Sequence, residues 1–382
     1  MSKATIVTPT PAGREVRAVR SLPVQDWPEA DRAGWAAARR PGQRLTRGGS
    51  ASHLAPITQT DLARRYGYFL DFLDRSGRLD LTAEAGTLVT LEAIVAFVAE
   101  LQDRVSSVTV SRTIYKVRRA AECIAPHRSF AWLAEIGKDL ALLERPKDKF
   151  DRVVLTERLV EAGLTLFREA EADIHGLPLG RALAARNGLM VALLAPCPIR
   201  LKNFAALEIG STLVKLEDMW WIHLSETKSG RPDHRPVPTF LTGFIERYLD
   251  VYRPVLLLGR TGQTALLDLD NGLTQMQTKT ASQKNAITGL WISRLGCPLK
   301  YGSVALAITE TVRMTLGVPV TPHLFRSAGA TSAALHASKS PHLASALLQH
   351  TDPKTTEAHY IRASSLSVAR DFAALIGDLR TP

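Results

Sequence analysis

The sequence predicts a mainly helical protein with one small antiparallel β-sheet, divided into an N-terminal helical domain and a larger C-terminal α+β domain. Three observations predict it. Apolar residues recur at helical spacing from Thr58 to about Leu143, an extended stretch from Ala206 to Pro238 interrupts that pattern, and helical spacing returns from Phe240 onward. The charged, proline-broken stretch Arg145-Pro146-Lys147-Asp148-Lys149 supplies the expected boundary, and 382 residues suit two domains.

Residues 1–55 are rich in Arg, Pro, Gly and Ala, with weak periodicity. Arg39, Arg40, Arg44 and Arg47 stand among Pro41, Gly42, Gly48 and Gly49, so a loosely ordered basic segment that settles on phosphates is expected. The helical domain at 56–145 begins with Leu62, Tyr66, Phe69, Leu70 and Leu73 after candidate caps at Thr58 and Thr60. Leu91, Ile94, Val95, Val98 and Leu101 mark a second apolar stripe, and two more helices run from about Ser107 to Ile124 and from about Ser129 to Leu143. In the third helix Arg112, Lys116 and Arg119 share one face, with Arg118 nearby, while Val108, Ile114, Val117 and Ala121 can take the buried side. A solvated basic face and a DNA-facing helix both fit that pattern.

The second domain, 146–382, opens with helical patterns over about 154–173 and 180–195. Leu213–Leu216, Trp220–Leu224 and Arg235–Pro238 read as three antiparallel strands, with Ser229-Gly230 turning between the last two. Beyond Phe240 the pattern is helical again, apart from an irregular stretch at about 259–279. No internal repeat is present.

A net charge of +11 and a pI near 9.8 call for a polyanionic partner, although charge alone does not separate DNA from RNA or an anionic membrane surface. The longest apolar stretch, Gly188 to Ile199, holds two prolines and is too short to span a bilayer, which takes about 20 residues. Cys123, Cys197 and Cys297 are far apart and suit neither a disulfide framework nor a zinc site. With no apolar leader after Met1, a cytoplasmic protein without membrane contact is expected.

Near the C-terminus, Thr321-Pro322-His323-Leu324-Phe325-Arg326 puts a proline just before His323, which suits the first turn of a helix. His323 and Arg326 are then i, i+3 neighbours that project the same way. Leu348-Gln349-His350 and Thr355-Thr356-Glu357-Ala358-His359-Tyr360 follow. Taken in order, His323-x-x-Arg326, Leu348-x-His350, Thr355-Thr356-Glu357 and Tyr360 resemble the C-terminal boxes of the tyrosine recombinases, also called phage-type integrases. The specificity lies in the order and spacing of several boxes, since HxxR alone is uninformative. The resemblance implies an arginine at the end of an early helix in the same domain, which Arg200 fits. It also implies a lysine in a β-hairpin turn, which Lys228 fits, with Lys215 on the preceding strand as a rival. It covers roughly residues 56–377, making 56–145 the core-binding domain and 146–382 the catalytic domain with its C-terminal tail helix.

The implied activity is site-specific DNA recombination through a covalent 3′-phosphotyrosine. Attack on a phosphodiester builds negative charge on the non-bridging oxygens. Arg200 and Arg326, permanently charged and able to bind phosphate in bidentate fashion, would stabilise it, with His350 donating a further hydrogen bond. Tyr360 would attack, helped by His323 as proton acceptor, because a free phenol with a pKa of about 10 is a poor nucleophile at neutral pH. Lys228 would protonate the leaving 5′ oxygen. No metal or nucleotide cofactor is implied. The implied partners are double-stranded recognition sites, a homotetramer in the synaptic complex and accessory recombination proteins, in a nucleoid-associated setting.

The chain departs from the family pattern at several places. Gln349 stands where glycine is common, Asn203 where an acid is common, and Cys197-Pro198 replaces a small, glycine-containing approach to Arg200. His350 and Tyr360 are one residue further apart than in many members, so that His359 falls in the tyrosine's usual place. A DNA-binding relative with reduced catalysis and a type IB topoisomerase are the alternatives. Leu366, Ala369, Phe372, Leu375 and Ile376 form a final helical stripe that could pack on its own domain or on a neighbouring subunit.

Overall fold

A computed structural model describes residues 20–44, 47–146, 152–225, 227, 231–259 and 287–336. The chain is mostly helical with a single three-stranded antiparallel sheet among the described residues. It forms two compact units, Met1–Asp148 and Lys149–Pro382.

The first unit contains α1 (Glu29–Arg39), α2 (Pro56–Arg75), α3 (Leu91–Arg104), α4 (Ser107–Ile124) and α5 (Ala131–Leu142). Pro56 starts α2, where a missing N–H costs nothing, and the Thr90 side chain caps α3 by accepting from the Ala93 N–H. Tyr66, Phe69, Leu70 and Leu73 of α2 are buried against Ile94, Phe97 and Leu101 of α3 and Ile114 and Val117 of α4. The inward stripe of α3 thus runs through Phe97 rather than Val95. Leu91 and Val95, expected to face the core, are 59% and 57% exposed.

A larger departure lies before α2. The segment expected to be loosely ordered contains α1, and Trp27 and Trp35 join the core, with the Trp27 ring edge-on to Tyr66 at 5.0 Å. Trp27, Asp31, Trp35 and Ala38 recur at helical spacing, and all four are buried. Asp31 breaks the apolar pattern that would have revealed the helix. Its carboxylate accepts from the Tyr66 hydroxyl at 2.7 Å and the Gly86 N–H at 2.8 Å, which makes its burial tolerable. Burial pushes its pKa up, partly offset by those two hydrogen bonds.

The second unit is built on α6 (Thr156–Ala172) and α7 (Pro178–Leu194). Their backbones meet through a glycine pair: a Cβ on Gly163 would lie 2.6 Å from the Gly188 carbonyl oxygen and from the Ala192 nitrogen. Leu189 to Ala195 are all buried. After the short α8 (Leu201–Ala205), strands β1 (Leu213–Leu216), β2 (Met219–Leu224) and β3 (Asp233–Pro236) pair antiparallel in the order β1-β2-β3. Trp220, Ile222 and Leu224 face the core from β2, and register sets Arg235 opposite Ile222 and Asp233 opposite Leu224. The same alternation therefore turns Asp233, Arg235 and Val237 inward. Then come α9 (Thr242–Arg247), continued by a π-helical turn, and α10 (Tyr301–Leu316), which stops at Gly317 with φ +73°. Last described is α11 (Pro322–His336), whose Leu324, Phe325 and Ala328 are buried. Among the described residues, no helix is long and apolar enough to cross a membrane.

Candidate functional site

Pro196 and Pro198 end α7 because neither offers an N–H and each disfavours helix in the residue before it. The chain crosses to α8 through Cys197, Pro198 and Ile199, all buried, and delivers half-buried Arg200 to the N-cap of α8. The helices on either side of this connector are both tied to the Trp291–Ile292 stretch. The Trp291 indole donates to the Phe204 carbonyl at 2.8 Å, and the Arg186 guanidinium donates to the Ile292 carbonyl at 2.6 Å.

Arg326 reaches the same connector from α11. Pro322 is the first residue of that helix, His323 beside it is exposed, and Arg326, three residues on, is buried. One Arg326 Nη donates to the Pro198 carbonyl at 2.6 Å, across 128 positions of sequence. Burial, and then repulsion from Arg200 and Arg235, push the Arg326 guanidinium down to about 10, with Asp233 opposing. Two of the expected arginines therefore converge on one connector.

A third guanidinium lies alongside. Arg235 on β3 is 8% exposed and forms a bidentate pair with Asp233, Nε to Oδ1 and Nη2 to Oδ2, both at 2.8 Å. Its Nη1 is buried without a hydrogen-bond partner among the described residues. The Cys197 thiol sits 4.0 Å from the Pro236 carbonyl, so the strand bearing Arg235 abuts the connector bearing Arg200. Burial pushes that thiol up to about 12, so it stays neutral beside the arginines. Arg235 and Asp233 are not among the residues expected at the site. Their signal was a charged residue at each inward position of a short strand, in alternation with the buried Val237 that follows it.

Lys228, His350 and Tyr360 lie outside the described residues, as do the Ser229-Gly230 turn and the stripe from Leu366. Lys215, the rival of Lys228, is paired with Glu246 at 2.6 Å.

In the first unit, Arg112, Lys116 and Arg119 lie on α4, but the face is less uniformly basic than its sequence. Lys116 pairs with Asp61 of α2, while Arg118 and Arg119 both reach Glu122, at 3.3 and 3.2 Å. Arg112 is exposed.

The chain is similar to the XerH site-specific recombinase bound to its difH substrate in a pre-cleavage complex. Identity is 12%, covering 79% of this chain and 76% of that one, with a TM-score of 0.47. The post-cleavage complex of XerH with a palindromic difH substrate gives 12%, 79%, 75% and 0.45. The XerA recombinase gives 16% identity over 84% of this chain and 94% of that one, with a TM-score of 0.34. No protein-family model and no curated protein sequence matches the chain.

Proposed function

We propose that this protein is a site-specific DNA recombinase that cuts and rejoins strands through a 3′-phosphotyrosyl link. The observation that carries the reading is the approach of Arg326 to the connector that presents Arg200, made by a hydrogen bond from α11 to Pro198. Two guanidiniums brought to one connector against mutual repulsion suit an anion, and a phosphodiester in its transition state is the anion whose charge they would stabilise. Tyr360 Oη attacks the phosphorus while His323 takes the phenolic proton. The 5′ oxygen leaves with a proton from Lys228, and His350 supports the non-bridging oxygens. Religation reverses the steps, so the bond energy stays in the phosphotyrosine.

The first unit is the DNA-gripping domain, with exposed Arg112 on α4 as a phosphate contact. A homotetramer on two duplexes is the working assembly. A nicked duplex from the DNA flanking the protein's own gene should trap a covalent protein–DNA adduct on a denaturing gel, and Tyr360→Phe should abolish it. No wild-type adduct, or one that survives the substitution, overturns the reading.

A further inference from the structure

We infer that Arg235 is a third phosphate-binding guanidinium of this site, held in place by Asp233 and offering its free Nη1 to a non-bridging phosphate oxygen. The inference rests on the recombinase reading for its substrate, but its geometry stands independently. A guanidinium carries five N–H donors in a fixed fork. Asp233 takes those on Nε and Nη2, leaving Nη1 without a partner among the described residues, although the side chain is nine-tenths buried. A buried donor left unsatisfied is costly, and one retained beside other cations points to a ligand.

The neighbours define that ligand's charge. Pro236, next to Arg235, touches Cys197; Cys197 precedes Pro198, whose carbonyl receives Arg326; and Arg200 follows two residues later. Three guanidiniums thus gather: Arg200 and Arg235 both repel the charge on Arg326, and Asp233 opposes them. An ion pair serving only to stabilise the sheet would need neither an idle Nη1 nor a place among like charges. Strand alternation makes the position specific: Asp233 and Arg235 point the same way, so the carboxylate orients the guanidinium from within one strand.

The test uses the full-length double variant Asp233→Leu with Arg235→Met, because removing one partner alone strands a buried charge and risks unfolding, whereas apolar replacement of both is tolerated. Thermal melts with increasing inorganic phosphate should show saturable stabilisation of the wild type, and the double variant should need at least about tenfold more phosphate for half the effect. In the nicked-duplex assay, adduct formation should slow by about 10- to 100-fold. Equal phosphate response in a folded double variant overturns the inference, and wild-type adduct formation would then leave the recombinase reading standing. A phosphate difference with no wild-type adduct does the opposite: the three-arginine anion site holds and the recombinase reading falls.

Discussion

Replacing Arg326 by lysine preserves the formal charge, so it isolates what the guanidinium contributes. Arg326 is 9% exposed, donates to the Pro198 carbonyl at 2.6 Å, and is pushed down to about 10 by burial and by Arg200 and Arg235. At that value the native side chain remains protonated through pH 9. Desolvation and like-charge repulsion act on an amine as they do on a guanidinium, so an introduced lysine would be pushed below its ordinary pKa of about 10.4. An amine also cannot hold Pro198 while presenting two parallel donors to a phosphate. Losing one preorganised donor to a developing oxyanion costs roughly 100- to 1000-fold, so Arg326→Lys should slow adduct formation by about that factor at pH 7. Because the amine starts lower than the guanidinium and is pushed down further, it loses charge before Arg326 does as pH rises, so the deficit should widen from pH 7 to 9. The assay is the single-turnover rate of adduct formation on a nicked duplex at pH 7, 8 and 9. A variant within a factor of three of wild type across that range would refute the placement of Arg326 at the reacting phosphate.

Two other outcomes follow from the packing. Gly163→Ala would put a Cβ 2.6 Å from backbone atoms of α7, so the variant should lose about 1–3 kcal/mol in urea unfolding, and an unchanged midpoint would show that α6 and α7 are not so close. Arg112→Ala should lower duplex affinity and flatten its dependence on log salt by about 0.9. Lys116→Ala, whose ammonium is engaged by Asp61, should leave that slope alone and cost about 0.2–1 kcal/mol of stability; a wild-type slope in Arg112→Ala would remove α4 from the DNA interface.

What the sequence made legible follows from how locally each feature is determined. The helix Ser107–Ile124 and the strand Leu213–Leu216 were readable to the residue, because Ile114, Val117 and Ala121 keep helical spacing through the one and a short β-prone run bounded by turn residues marks the other. The α1 helix was hidden because one core-facing position holds Asp31, whose acceptability depends on Tyr66 and Gly86, 35 and 55 residues away. The error on α3 was of the same kind: Val95 and Phe97 are both apolar, and which faces inward is decided by the aromatic rings of α2, with Phe97 meeting Phe69 at 5.5 Å.

The candidate site divides along the same line. Arg200 and Arg326 could be singled out because each sits in a motif, but that they reach one connector depends on a contact spanning 128 residues. Arg235 belongs to no motif the sequence reading used. It becomes visible once the register of β2 and β3 fixes which side chains turn inward, and that register exchanges the two faces with a slip of one residue. Alternation with Val237 was available in the sequence, yet charged residues at inward positions argue against burial until a partner is known. Asp233 is that partner, two residues away on the same face. Where a strand carries an acid and an arginine at i and i+2 ahead of an apolar inward position, the pair is better read as one self-neutralising unit that can enter a core and still present a donor there.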